Sequence, residues 1–368
     1  MKFVVNRDPF ARALGRLQGV LNRKAPNETI SRVLLEASAR GLRVAGTDLD
    51  VTFDGVIESR VSEPGRVTVD GKRLFEVVRS LPGEEAEVVV TDTRIEIRSK
   101  SALFQLNAKA ADDYPDLPPT TGVALTPIDG VVFRELIERT LFSVSTDDSR
   151  ANLNGVFFRC LGQGRVRMVS TDGHRLSQGE RDASRDTEIG EREGVIIPRK
   201  GVAEIKRLLD EVGREVSLGF LDNQIVIAAQ DLHLLVRLID ANFPDYRQVI
   251  PKSSERRVVL ERQPFLNALK RIGLLANERT QGVRIELSRG LMVLSSDNPE
   301  TGKAREEMEV EYGGADLAIA FNAKYVRDVL SILTAEKVEL ALNESLSPGL
   351  IREHGNDDYL FVVMPMRV

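Results

Sequence analysis

Val166–Leu176 reads VRMVSTDGHRL: an apolar-rich run that breaks into a Thr-Asp-Gly turn and crowds Asp172, His174 and Arg175 together. The pattern predicts a strand running into that turn. The same frame returns as LRVAGTD at Leu42–Asp48 and as LMVLSSD at Leu291–Asp297, so Asp48, Asp172 and Asp297 stand 124 and 125 residues apart. A period of this kind dictates the architecture. Other anchors keep it. Lys72, Lys200 and Lys324 share one slot, 128 and 124 residues apart, and Phe10, Phe133 and Phe265 share another. ADDYPDL at Ala111–Leu117 and ANFPDY at Ala241–Tyr246 each close a copy, with Pro115 matched to Pro244.

Each copy therefore reads as helix, strands, helix, strands. Apolar residues at helical spacing predict first helices at Pro9–Leu21, Val131–Val144 and Pro264–Ala276. Second helices fall at Lys72–Leu81, Arg199–Glu211 and Ala323–Leu333, with Asp70 and Asn322 placed as caps. Short alternating runs predict strands, among them Val51–Ile57, Leu153–Arg159, Leu232–Leu238 and Tyr359–Met364. A chain of 368 residues is too long for one ordinary core. The expected class is α+β, as three tandem domains at 1–120, 126–251 and 253–368, joined near Pro118–Gly122 and Pro251–Ser254.

Composition sets further bounds. The chain is 42% apolar and 29% charged, as globular proteins are, and no apolar run approaches the ~18 residues of a membrane span. The N-terminus lacks a signal-peptide core, and Cys160 is the single cysteine, so a reducing cytoplasm is the expected compartment. A net charge of −5 argues on its face against a nucleic-acid partner. The distribution reverses that argument. The six helices with their flanks carry a summed +9, leaving −14 on everything else. One helical surface facing a polyanion would explain the split. Solvated lysines and arginines on ordinary helices are the plain alternative. With no Trp and 5% aromatic residues, stacking on single-stranded bases has little support.

Catalytic patterns fare poorly. Gly65–Arg73, GRVTVDGKR, has five residues rather than four between its glycines and Arg after Lys, unlike a phosphate loop. Asp48, Asp50 and Asp54 resemble a calcium loop, but Thr52 takes a ligand position. Ser170, Asp172 and His174 are close enough in sequence for a triad, yet no nucleophile elbow surrounds Ser170. His233 sits in an apolar strand and His354 in a polar turn, so no metal spacing exists; Cys160 reads as a small buried residue. No cofactor or metal is expected. The terminal FVVMPMRV, Phe361–Val368, is either a core strand with a frayed tail or a methionine-lined partner groove.

Taken together, the repeat, STDGHRL at Ser170–Leu176, IIPRKG at Ile196–Gly201, FPDY at Phe243–Tyr246 and the closing MPMRV resemble the bacterial DNA polymerase III β subunits, the sliding clamps. The resemblance spans the whole chain. It implies a non-catalytic head-to-tail homodimer closed around duplex DNA, with helices lining a central hole and antiparallel sheets outside. It also implies partners: a replicative polymerase subunit, a clamp loader and other proteins that insert a short peptide into a pocket. The matching pocket positions are Leu153, Thr171, Gly173, His174, Arg175, Leu176, Pro244, Arg247 and Val249. Asn322, Tyr325, Leu346, Val362, Met364, Pro365, Met366 and Arg367 complete them. For DNA the resemblance points to Lys24, Arg73, Arg150 and Lys200, and for the dimer seam to Phe104 and Leu106 against Leu274 and Leu275. This chain departs from the family pattern in the acidic loop Thr146–Asn152, at Pro348 and at the terminal Val368.

Overall fold

The computed structural model describes residues 1–21, 28–120, 122–183 and 192–367. Six α-helices form where the periodicity placed them: α1 (Arg7–Val20), α2 (Gly71–Ser80), α3 (Gly130–Leu141), α4 (Arg199–Val212), α5 (Arg262–Ile272) and α6 (Ala323–Ile332). α1 buries Phe10, Ala13, Leu14, Leu17 and Val20, one stripe at three- and four-residue steps. Asp70 caps α2 by accepting from the Arg73 N–H at 2.8 Å, and Asn322 caps α6 through the N–H groups of Lys324 and Tyr325. Predicted to reach Ala276, the third first-helix instead ends at Ile272 and tightens into a 3₁₀ turn, Gly273–Leu275.

Two compact units emerge, and neither coincides with a repeat: Met1–Val131 with Lys200–Leu238, and Val132–Arg199 with Ile239–Val368. The first holds a 13-stranded antiparallel sheet. Strands of the second copy begin it, and Leu232–Arg237 lies down on Val51–Ile57 of the first copy, from Leu232↔Gly55 to Val236↔Val51. A Cβ on Gly55 would come within 2.7 Å of a Leu232 methyl, so glycine makes room for the crossing strand.

In the second unit an eight-stranded sheet joins strands of the second and third copies, and a four-stranded sheet belongs to the third copy alone. The join here is Tyr359–Val363 on Arg175–Asp182, from Tyr359↔Gly179 to Val363↔Arg175. A Cβ on Gly179 would meet the Tyr359 ring at 2.8 Å. Gly55 and Gly179 each lie seven residues beyond the repeat aspartate, so the two joins use the same position. An ionic lock reinforces the second. Arg139, buried on α3, donates to Glu353 Oε1 at 3.0 Å and spreads over the Tyr359 ring, 4.5 Å from its centroid.

Eight further strands form where no apolar alternation announced them, including Arg175–Asp182, Arg256–Glu261 and Gly302–Glu309. The predicted strand Leu153–Arg159 starts late, because Leu153 ends a 3₁₀ turn and the strand runs from Gly155 to Gly162. No helix among the described residues is long and apolar enough to cross a membrane.

Candidate functional site

The second unit assembles the STDGHRL turn, α6 and the C-terminal tail. The turn is held by its own side chains: Asp172 Oδ1 accepts the N–H groups of His174 and Arg175 at 2.9 and 3.0 Å. The Thr171 hydroxyl donates to the Arg175 carbonyl and accepts from the Gly173 N–H. Gly173 sits at φ +90°, a left-handed value that a side chain would oppose. Arg175 then forks outward. Its Nε donates to Asp172 Oδ2 at 3.0 Å, Nη1 to Asp328 Oδ2 at 2.6 Å and Nη2 to the Phe142 carbonyl at 2.7 Å. The guanidinium also covers the rings of Tyr325 and Phe142, 4.6 and 5.3 Å from their centroids. His174 lies nearly parallel to Tyr325, with ring centroids 6.3 Å apart. Burial, then the Asp172 charge, push the Tyr325 hydroxyl above its usual range.

The tail is zipped between this turn and the strand Leu317–Asn322. The Met364 N–H donates to the His174 carbonyl and the Met366 N–H to the Ala320 carbonyl, both at 2.8 Å, while Pro365 bridges to Phe321. Asn322 fastens α6 from below through its Nδ2, which donates to the Thr280 carbonyl at 3.0 Å. Leu176 and Val362 meet in an apolar cluster with Val169, Ala341 and Leu350, and Phe243, Tyr246 and Ile250 pack against it. That packing brings in the FPDY segment with Pro244, Arg247 and Val249. Leu153 is buried, whereas Leu346 is 61% exposed on the loop between Ala341 and Leu350. Beneath the turn and the tail that cluster is buried, and at the surface Arg150 and Arg247 are each paired with an acid, Asp147 and Asp245. Asp328 and Phe142 were missed from the sequence. Asp328 is three residues beyond Tyr325 on the same helix, a spacing that could have found it.

The remaining residues fall as follows. Lys24 lies outside the described residues. Arg73 is exposed on the first turn of α2. Arg150 pairs with Asp147 at 3.3 Å and reaches the Asp172 carbonyl. The Lys200 Nζ donates to Asp48 and, at 3.0 Å, to the Val20 carbonyl. Phe104 and Leu106 are half-buried on the strand Ala102–Lys109, which pairs with Gly65–Asp70 only at Ala108 and Lys109 and leaves one edge open along residues 102–107. Leu274, 80% exposed, and the half-buried Leu275 form the 3₁₀ turn after α5. Ser170 is no nucleophile. It is buried, and its hydroxyl donates to the Thr140 carbonyl.

Comparison with known proteins covers the chain end to end. The N-terminal, central and C-terminal domain families of the DNA polymerase III beta subunit match residues 1–118, 127–245 and 247–367. The beta sliding clamps of Pseudomonas aeruginosa and Escherichia coli are 35% and 33% identical to it, over the full length of each chain. A crystal structure of the P. aeruginosa sliding clamp bound to griselimycin superposes with a TM-score of 0.94 at 35% identity, each chain fully covered.

Proposed function

The chain belongs to the DNA polymerase III β subunits, the non-catalytic sliding clamps of DNA replication, and we propose that two copies close head to tail around duplex DNA. One observation carries the closure. The last strand of copy two pairs with Val51–Ile57 of copy one, and the last strand of copy three pairs with Arg175–Asp182 of copy two. By the same rule the last strand of copy one, Ala102–Lys109, calls for Gly302–Glu309 of copy three. Among the described residues Gly302–Glu309 is the outer strand of its sheet, and Ala102–Lys109 keeps its open edge. A second copy of the chain supplies both pairings by two-fold symmetry, which makes a ring of six domains. Phe104 and Leu106 then face Leu274 and Leu275 at the seam. The domains run over 1–120, 126–251 and 253–368.

Such a ring holds DNA by topology. The helices would line its hole, and contacts with phosphates carry no base information, so the ring slides. A polymerase docked on the ring stays at high effective concentration near the primer end. Docking falls to the surface of the second unit around the STDGHRL turn, where the half-buried tail methionines lie over the core of Leu176 and Val362. A clamp loader, the replicative polymerase subunit and other motif-bearing proteins would share it, in the cytoplasm. The griselimycin-bound P. aeruginosa clamp supports the expectation that this chain binds griselimycin as well. The test is retention on a nicked circular duplex after loading. The protein is expected to stay on the circle and to run off once it is linearised; equal retention on both would end the proposal.

A further inference from the structure

The first unit carries the cations of its helices in two ways. Arg12 on α1 and Arg73 and Arg79 on α2 are exposed and make no ion pair among the described residues. Arg16, Lys200 and Arg207 each rest on a carboxylate instead. Arg16 forks onto Glu211, with Nε 2.8 Å from Oε2. Lys200 bonds Asp48, and Arg207 pairs with Glu204 at 2.7 Å while also bonding the Arg16 carbonyl. Two of these acids lie beneath their cations. The side chains of Asp48 and Glu204 are 8% and 13% exposed, against 43% and 44% for Lys200 and Arg207.

A phosphate gains from a protein cation because neutralising it frees a condensed counterion. A cation already matched at contact distance by a fixed carboxylate has little charge left to offer, and must loosen that bond to grip. Resting on the clamp reading above, we propose that Asp48, Glu204 and Glu211 are guard carboxylates. They hold Lys200, Arg207 and Arg16 out of phosphate contact, leave Arg12, Arg73 and Arg79 to carry it in this unit, and keep the grip weak enough to slide. Lys200 then braces α4 against the end of α1 rather than touching DNA.

The test is equilibrium binding of the full-length protein to a linear duplex, followed from about 50 to about 200 mM salt. Asp48→Asn keeps the Oδ1 acceptor that holds the Asp50 and Val51 N–H groups, so its turn survives. Both Asp48→Asn and Glu211→Gln are expected to tighten binding at low salt. Each should steepen log K against log salt by about 0.9, roughly a threefold larger affinity ratio across that range per freed cation. Adding Lys200→Ala to Asp48→Asn should restore the original slope, and Arg12→Ala or Arg73→Ala should flatten it by about 0.9. Unchanged slopes in both acid variants overturn the proposal. So does a double variant as steep as Asp48→Asn, because the gain would then be a diffuse field effect. The clamp reading stands or falls separately, on retention of the unaltered protein by the nicked circle.

Discussion

Arg175 lays its guanidinium over Tyr325, 4.6 Å from the ring centroid, and ties the same helix again through Asp328 at 2.6 Å. One side chain thereby fixes the turn that carries Gly173 and His174 against α6. Arg175→Ala removes two cation–π contacts and three charge-assisted hydrogen bonds, interactions worth about 1–3 kcal/mol each. Peptide binding should weaken at least about tenfold, as read by anisotropy of a labelled polymerase-tail peptide. Arg175→Lys should not rescue it, since an ammonium cannot make the fork.

Glu353 predicts an acid limb of stability. Burial alone would raise its carboxyl. The Thr334 N–H, Arg139 and the Ala335 N–H outweigh burial and hold it at about 2, below an ordinary value of 4.5. A depressed folded value means the stabilisation is complete above pH 4.5 and is lost as pH falls towards 2. Thermal melts across that window should show Glu353→Gln with a flatter acid limb, and about 2–3 kcal/mol less stable near neutrality, with buried Arg139 left only its looser pair with Glu135 at 3.3 Å. Parallel pH profiles for both proteins would remove Glu353 from that role.

The exposed Leu274 is expected to be covered by a second copy. Leu274→Asp should shift the solution mass from two chains to one while leaving the thermal transition of the subunit in place. A dimer that survives the change would put the seam elsewhere.

Deleting Met364–Val368 should abolish partner-peptide binding with the dimer intact. The segment ends in hydrogen bonds to His174 and Ala320 and contributes no strand of its own. Loss of the dimer in the truncated chain would make the tail structural instead.

All six helices were legible because each carries its own periodic apolar stripe, and side-chain caps at Asp70 and Asn322 mark the starts of α2 and α6. Several of the strands that escaped notice are charged or polar along their length. Gly302–Glu309 reads GKAREEME, and Arg175–Asp182 reads RLSQGERD. Such strands are specified by the neighbour they pair with, which lies far along the chain, as Tyr359 does from Gly179. The pocket was legible mainly through resemblance. Spacing alone does not bring Asp328 to Arg175 across 153 residues. Nor does it reveal that Lys200, read as a free cation, already has Asp48 beside it.

The strands of the middle copy are shared out: Leu232–Arg237 completes a sheet with the first copy, and Arg175–Asp182 completes one with the third. Excised as a fragment, residues 126–251 would bare both flanks at once and offer ready templates for aggregation. The two linkers are therefore poor places to cut, however clearly composition marks them. The repeat sets the order of elements along the chain, while the sheets and compact units straddle its boundaries.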